Sequence, residues 1–278
     1  MFGTRKIFHA RYLPLVETRF FERVCENFCP QKFSQFPPHL KLPEILSQLD
    51  PQKLPAHLAI IMDGNGRWAE SHHFGHIRGH RAGVEAIRAV THLSAQLNIR
   101  CITLYAFSSE NWNRPKEEVE ALMELLVEFL EREAHALKKN NIRFFTIGRT
   151  GGLPPKVQEK ILWAIEFTKE CTGLILNLAL NYGARDELAD TFRAIAITGN
   201  FENIDDKLIQ ANLYTKDLPE LDLLIRTSGE KRLSNFLLWQ ASYAELYFID
   251  TLWPDFKEED LALALLDYQS RKRRFGGR

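Results

Sequence analysis

Residues 57–107 contain the pattern that decides the fold, and they read HLAIIMDGNGRWAESHHFGHIRGHRAGVEAIRAVTHLSAQLNIRCITLYAF. The run at 57–63 is apolar, has the length of a strand and ends in an acid. Residues 79–98 then repeat apolar side chains at helical spacing, and a second apolar run follows at 101–107. A strand, a helix and a strand in this order indicate a right-handed crossover between two parallel strands.

The same alternation continues to the end of the chain. Further strands are predicted at 142–148, 174–182, 222–227 and 245–250, and further helices at 116–140, 156–169, 185–197, 204–213 and 257–271. We therefore predict an α/β fold, a single domain with a mostly parallel central sheet of about six strands flanked by helices. Ligands of such sheets bind beyond the carboxyl ends of the strands, so functional residues are expected in the loops there.

Composition restricts the class of protein. The 278 residues carry 36 basic and 36 acidic side chains, and 45% of them are hydrophobic, which is typical of a globular protein. The zero net charge argues against a nucleic-acid partner bound through a globally basic surface. The sequence has no apolar run long enough to predict a membrane-spanning helix. Four cysteines without metal-ligand spacing indicate a reducing compartment.

Residues 1–55 differ in composition from the rest of the chain. They hold 7 of the 19 phenylalanines, and charged side chains interrupt every apolar run. Those interruptions argue against a secretory signal, and the acidic residues argue against a transit peptide. We interpret 1–55 as an N-terminal extension that packs on a main domain at 56–278, with a short amphipathic helix at 12–28. An element that touches a membrane is the alternative.

The loop after the first strand has features of an anion site. Gly64 and Gly66 have no side chain that would keep an anion away from the backbone N–H groups. The guanidinium of Arg67 can donate two parallel hydrogen bonds to phosphate oxygens. The carboxylate of Asp63 would repel a phosphate. Beside a phosphate, we therefore expect Asp63 to bind a Mg²⁺ ion that the phosphate also binds. A tight turn explains the two glycines equally well, and neither a Walker lysine nor a third dinucleotide glycine follows.

Two other segments carry polar side chains suited to anions. Four of the nine histidines occur at 72–80 beside arginines, and this patch is interpreted as anion-binding, with a zinc site as the alternative. Residues 108–115, which follow the second strand, combine polar and aromatic side chains, as a substrate-lining loop does. A plain helix cap is the alternative there.

A second group of cations follows the fifth strand. Arg226, Lys231 and Arg232 lie close to two hydroxyl residues and form a second anion cradle. Glu245 is an isolated acid in the apolar stretch that comes next. A buried carboxylate requires a cation or a hydrogen-bond donor, and Mg²⁺ is one candidate.

Six stretches of the chain together resemble the cis-prenyltransferases, in particular the undecaprenyl diphosphate synthases. They are HLAIIMDGNGRWA (57–69), GHRAG (79–83), LYAFSSENWNRP (104–115), LNLALNYGARDEL (176–188), DLLIRTSGEKRLSNFLLWQASYAELYF (222–248) and RRFGG (273–277). The resemblance covers residues 56–277 in the family's order and leaves the first 55 residues outside it.

This resemblance implies a homodimer of α/β domains, each enclosing an apolar tunnel for a growing prenyl chain. The implied reaction is Mg²⁺-dependent and condenses isopentenyl diphosphate repeatedly onto an allylic diphosphate, commonly farnesyl diphosphate, adding a cis double bond each time. The expected product is undecaprenyl diphosphate, a lipid carrier for cell-wall synthesis. A cytoplasmic enzyme with peripheral membrane contact is expected, and a plastid location is the alternative. A non-catalytic scaffold subunit is the alternative function.

The resemblance also implies roles for individual residues. Asp63 would be the central catalytic acid at the Mg²⁺–diphosphate, with Asn111 as a second catalytic residue. The pocket for the allylic diphosphate would comprise Gly64, Asn65, Gly66, Arg67, Trp68 and His80. The loop that positions both substrates would comprise Ser108, Asn111, Trp112, Arg114 and Glu118. The cradle for isopentenyl diphosphate would comprise Arg226, Arg232 and Ser234. Glu245 would be the second Mg²⁺ contact, donated across the dimer.

Several positions depart from the family's pattern. The family usually has arginine four residues before His80, where this chain has His76, with Arg78 two residues later. Either side chain could contact the allylic diphosphate. Lys231 stands where some members have a histidine near the metal, and a protonated lysine cannot ligate a cation. Glycines of some relatives are replaced by Ala184 and Ser228. The absence of an Asp-Asp-x-x-Asp motif argues against a trans-type prenyl synthase.

Overall fold

Six strands form one sheet in the part of the chain that the structure, a computed structural model, describes: residues 41–199 and 204–273. They are β1 (His57–Ile61), β2 (Cys101–Ser108), β3 (Arg143–Ile147), β4 (Ile175–Tyr182), β5 (Leu223–Arg226) and β6 (Glu245–Phe248). Their order across the sheet is β3-β4-β2-β1-β5-β6, and all neighbours are parallel. The predicted α/β fold with a parallel sheet is confirmed.

Eight α-helices accompany the sheet within the described ranges. They are α1 (Leu42–Leu46), α2 (Asn65–Ser71), α3 (His76–Gln96), α4 (Lys116–Lys139), α5 (Pro155–Thr168), α6 (Ala184–Thr198), α7 (Asp206–Gln210) and α8 (Glu258–Ser270). The sequence pattern missed α1 and α2, because helices of about two turns or less do not establish an apolar repeat. None of the helices in these ranges is long and apolar enough to cross a membrane.

The two faces of the sheet are covered by separate apolar clusters. Along β1, which is buried throughout, Leu58 and Ile60 face the larger cluster, while Ala59 and Ile61 face the smaller one. Burial on both faces is the reason that β1 has a continuous apolar sequence rather than an alternating one. At the edge of the sheet, β6 is only half-buried.

The described part of the N-terminal extension packs against the last helix. Ile45 and Leu49 are buried in the larger cluster. The side chain of Gln269 on α8 donates to the carbonyl of Gln48 at 2.9 Å and accepts from the N–H of Asp50 at 2.9 Å. Residues 41–50 therefore extend the core of the main domain. The helix predicted at 12–28 and the end of the RRFGG stretch lie outside the described residues.

Two glycines allow α3 to approach α2 closely. A Cβ at Gly79 would lie 2.0 Å from the carbonyl oxygen of Asn65. A Cβ at Gly83 would lie 2.7 Å from the side-chain oxygen of Asn65. The indole of Trp253 donates to the carbonyl of Gly83 at 3.0 Å and fills the remaining space. The GHRAG stretch thus places α2, and the loop after β1, against the body of the domain.

We expect Gly79→Ala to lower the free energy of unfolding by about 3 kcal/mol, because backbone must move to relieve the contact with Asn65. This cost exceeds the gain in helix propensity of about 1 kcal/mol. Gly151→Ala is the control, since a Cβ there meets no atom within 4 Å. Urea-induced unfolding measures both variants, and equal stabilities would contradict the close packing.

Candidate active site

Asp63 and Arg226 meet at the carboxyl ends of β1 and β5. The side chain of Arg226 is only 4% exposed, and its Nη2 donates to Oδ2 of Asp63 at 2.8 Å. Its Nη1 donates to Oγ of Ser234 at 2.7 Å and to the carbonyl oxygen of Arg232. One buried guanidinium therefore connects the acid after β1 to the cation-rich loop after β5.

Thr227 holds the backbone of Asp63, a role that the sequence analysis missed. Its hydroxyl accepts from the N–H of Asp63 at 2.9 Å and donates to the carbonyl of Asp63 at 2.7 Å. The N–H of Trp253 donates to the same carbonyl at 3.0 Å. The sequence carried no signal for this role, because it depends on β5 lying beside β1 and ending level with it.

Ser228 stands between Asp63 and Arg67. Its Oγ accepts from Nη2 of Arg67 at 2.5 Å, and its carbonyl accepts from Nη1 at 3.0 Å. Nη2 of the same arginine lies 3.8 Å from Oδ1 of Asp63. Burial acts to raise the pKa of Asp63, but the hydrogen bonds from Arg226 and Ser228 and the charges of Arg226 and Arg67 hold it below its ordinary value. Asp63 is therefore an anion at neutral pH.

The glycine-containing loop after β1 forms the start of α2. Gly64 precedes the helix at φ +106°, and a Cβ there would lie 2.9 Å from the side chain of Leu252. The first-turn N–H groups of Asn65, Gly66 and Arg67 have no acceptor within the helix, as at every helix start. The side chain of Asn65 donates to the carbonyl of Met62 at 3.2 Å. These backbone N–H groups lie beside the guanidinium of Arg67.

A second cluster joins α3 to the start of α4. Nη1 of Arg114 donates to Oε1 of Glu118 at 2.8 Å. Burial, followed by the charge of Arg114, lowers the pKa of His80 to about 4, although the charge of Glu118 acts to raise it. His80 is therefore neutral at physiological pH, and it offers a hydrogen bond rather than a positive charge.

His76 and Arg78 face different surroundings. His76 lies one helical turn before His80, and a Cβ at Gly66 would lie 3.9 Å from its ring. Arg78 is exposed, and its guanidinium lies over the ring of Phe74, 4.7 Å from the centroid. Of the two candidates, His76 is the one beside the loop after β1.

The loop after β2 forms a short 3₁₀ helix, Ser109–Asn113. Oδ1 of Asn111 accepts from the N–H of Ser108 at 3.1 Å, so Asn111 stabilises the turn itself. The indole of Trp112 donates to Oδ1 of Asn181 at 2.8 Å and meets the ring of Phe107 edge-on. The loop presents Trp112 at the mouth of a cleft.

This cleft lies between α4 and α5 and has a volume of about 520 Å³. Its apolar lining comprises Val119, Met123, Val127, Pro154 and Val157, with Trp112. The charged side chains that also line it are Arg114, Lys116, Glu120, Glu124 and Lys156. A cleft lined by both apolar and charged side chains suits a molecule with a charged head and a hydrocarbon tail.

Two of the predicted site residues lie apart from these clusters. Trp68 stacks on His72 at 4.1 Å and donates to Oδ1 of Asp255 at 2.9 Å. Glu245 begins β6, at the amino end of the sheet, and is paired with Arg271 at 2.8 Å. Within one chain, Glu245 and Asp63 therefore lie at opposite ends of the strands. Among residues 41–199 and 204–273, no group of three histidines, cysteines or acids is arranged to hold a metal ion.

A family model described as "Putative undecaprenyl diphosphate synthase" matches residues 61–276. The chain belongs to this family. The resemblance stated from the sequence motifs is thereby confirmed, and so is the expectation of a transferase of the cis-prenyltransferase type.

Relatives in the undecaprenyl diphosphate synthase family align over most of their length. An isoprenyl transferase of Clostridium tetani is 49% identical over 235 residues, which is 83% of this chain and 92% of that protein. A farnesyl-diphosphate-specific ditrans,polycis-undecaprenyl-diphosphate synthase of Aliivibrio fischeri is 50% identical over 228 residues, covering 80% of this chain and 89% of that protein.

A solved structure shares the fold. The lavandulyl diphosphate synthase of Lavandula x intermedia, crystallised with dimethylallyl diphosphate, is 37% identical to this chain, with a TM-score of 0.78. The similarity covers 81% of this chain and 99% of that one.

We expect Arg226→Lys to lower the free energy of unfolding by about 2 kcal/mol, because an ammonium cannot reproduce the three hydrogen bonds of the buried guanidinium. Arg232→Lys is the matched control, since that side chain is 60% exposed, and we expect a change within about 0.5 kcal/mol. Chemical denaturation measures both. Similar losses for the two variants would contradict the central position of Arg226.

Proposed function

We propose that this chain is a Mg²⁺-dependent cis-prenyl elongating enzyme, which condenses isopentenyl diphosphate repeatedly onto farnesyl diphosphate. The observation that carries the proposal is the position of Asp63, an ionised carboxylate between the guanidinium groups of Arg67 and Arg226. An acid flanked by two separate anion cradles suits a reaction between two diphosphates. The membership in the family supports the same chemistry.

Each diphosphate has its own cradle in this proposal. The allylic diphosphate would bind the first-turn N–H groups of α2 and Arg67, with His76 and His80 close by. Isopentenyl diphosphate would bind the loop after β5 through Arg226, Arg232 and Ser234. At about 5 Å and an effective dielectric near 20, each pair of unit charges on the two diphosphates repels by roughly 3 kcal/mol. The arginines of the two cradles offset this repulsion.

Asp63 fits a Mg²⁺ ion that takes its remaining ligands from phosphate oxygens and water. The carboxylate is ionised because its neighbours lower its pKa, and it is still partly open to solvent. When bound, the ion would neutralise the allylic diphosphate and make it a better leaving group.

The residues of the chain would carry the other parts of the reaction. As the allylic C–O bond breaks, negative charge grows on the leaving diphosphate, and Arg67 and the N–H groups of α2 stabilise it. The carbocation would then bond to the terminal alkene carbon of isopentenyl diphosphate, and the proton lost from C2 of that unit would go to the released diphosphate. The apolar cleft beside Trp112 would exclude water from the cation and receive the lengthening chain. The predicted tunnel would be an extension of this cleft.

We expect Asp63→Ala to reduce incorporation of labelled isopentenyl diphosphate into farnesyl-primed product by at least about 100-fold, because the metal contact and the partner of Arg226 are both lost. Radioactivity in the extracted lipid measures the rate. Thin-layer separation of the dephosphorylated wild-type product gives its length, expected to be undecaprenyl.

Asp217→Ala, at an exposed position, is the control and should keep the wild-type rate. Circular dichroism must show that both variants are folded. Near-normal turnover by Asp63→Ala would refute the assignment. A wild-type chain that forms no product alone, but stimulates a relative's activity, would favour the scaffold function.

The position of Glu245 supports the proposed homodimer. β6 is one of the two edge strands of the sheet, and Tyr243, two residues before it in the chain, is an exposed aromatic residue. A two-fold axis at this edge would align two copies of β6 in opposite directions. The amino end of the partner's strand, with its copy of Glu245, would then come to the carboxyl end of this one, where Asp63 and Arg226 lie.

This dimer predicts complementation between two inactive variants. Asp63→Ala and Glu245→Ala should each be inactive alone, yet a mixed dimer would contain one site with both acids intact. Random exchange of subunits should therefore restore about one quarter of the wild-type activity. The measurement is the rate after unfolding and refolding the mixture. If the mixture stays inactive, or if Glu245→Ala is active alone, the acid is not shared in this way.

The proposed location is the cytoplasm, with peripheral contact to a membrane that receives the lipid product. Such a contact through residues 1–40 lies outside the described part of the chain and stays a prediction. The proposed use in cell-wall synthesis follows from the undecaprenyl product and depends on it.

A further inference from the structure

Ser228 adopts a backbone conformation that a residue with a side chain rarely takes. Its φ is +75°, in the left-handed region, and the residue is 6% exposed. Serine is strained there relative to glycine, because its Cβ crowds the backbone. A strained residue at a site of charged groups suggests that its side chain has a use.

The hydroxyl of Ser228 has a defined hydrogen-bonding role. A hydroxyl oxygen has two lone pairs and can accept a hydrogen bond from a guanidinium. Its lone pairs receive Nη2 of Arg67 at 2.5 Å. The carbonyl of the same residue receives Nη1 at 3.0 Å, so one residue holds both branches of the guanidinium.

The backbone of Ser228 is itself fixed. Its N–H donates to the carbonyl of Thr251 at 2.8 Å, and the N–H of Gly229 donates to that of Ile249 at 2.9 Å. The hydroxyl and carbonyl oxygens of Ser228, which accept from Arg67, are therefore attached to a fixed backbone. Glu230 lies near the same guanidinium, with Oε1 at 4.0 Å from Nη2, and it is a competing acceptor when the hydroxyl is absent.

We propose that Ser228 is a positioning residue that orients Arg67 toward the allylic diphosphate, at a position beside Asp63. The inference rests on the proposed function, in which Arg67 belongs to the allylic cradle. Arg67 is 47% exposed on a short helix, and holding its guanidinium in place before binding reduces the entropy lost when a diphosphate binds. The effect should fall on the allylic substrate and not on isopentenyl diphosphate.

Two substitutions separate this role from a structural one. Ser228→Ala and Ser228→Gly both remove the hydroxyl, but only glycine relieves the strain at φ +75°. We expect Ser228→Gly to melt about 2 °C above Ser228→Ala. Both should nevertheless raise KM for farnesyl diphosphate about 10-fold, as loss of a hydrogen bond to a charged group does, with KM for isopentenyl diphosphate within about twofold of the wild type.

Ser234 provides the matched control. It also has a positive φ, +47°, and its hydroxyl accepts from an arginine, but that arginine is Arg226. Ser234→Ala should therefore raise KM chiefly for isopentenyl diphosphate. The opposite selectivity of two similar serines would distinguish the two cradles.

The inference is overturned if activity follows stability, with Ser228→Gly at the wild-type KM values and only Ser228→Ala impaired. It is also overturned if KM rises equally for both substrates. A wild-type chain that forms no product would instead refute the proposed function. In that case calorimetric titration with farnesyl diphosphate alone still tests Ser228, since both variants should bind it about 10-fold more weakly than the wild type, and unchanged binding would overturn the inference.

Discussion

The ion pair between Asp63 and the buried guanidinium of Arg226 is the interaction on which the site depends. A guanidinium that is 4% exposed needs acceptors inside the protein. Its two Nη atoms find them in the acid after β1 and the loop after β5, while its buried Nε has no partner among the described residues. Because β1 and β5 are adjacent and parallel, both residues reach the same edge of the sheet. The same contact keeps Asp63 ionised, so it couples the stability of the fold to the charge of the site.

Balanced composition and a strongly charged site are compatible in this protein. The 36 basic and 36 acidic side chains leave no net charge that would attract a polyanion over long distances. Locally, the guanidinium groups of Arg67 and Arg226 lie 3.8 Å and 2.8 Å from the carboxylate of Asp63. The cations are therefore concentrated where two diphosphates would meet, while the remainder of the surface is neutral on average.

The strands could be predicted because the apolar runs of a parallel sheet are continuous. The end of the sheet at which the candidate site lies could be predicted because those runs end in polar loops. The roles of Thr227 and Ser228 could not, because they depend on which strand lies beside β1, and β5 is more than 150 residues away in the chain. The sequence also did not show which of His76 and Arg78 lies beside the loop after β1. The answer depends on which way each side chain points from α3, and the structure places His76 beside Gly66 and Arg78 over Phe74. The metal role predicted for Glu245 stays a prediction, because within one chain Glu245 lies at the amino end of β6 and Asp63 follows the carboxyl end of β1.

The sequence by itself determined the α/β class and the family, and it predicted the residues of the candidate site, since apolar periodicity and local motifs are properties of residues close together in the chain. Only the tertiary structure decided how those residues are paired. It placed the hydroxyl of Ser228 between an acid and an arginine, kept His80 neutral by burying it beside Arg114, and put Glu245 at the opposite end of the sheet. Hydrogen bonds, desolvation and the ends of strands depend on distances in space, and these exist only once the chain has folded.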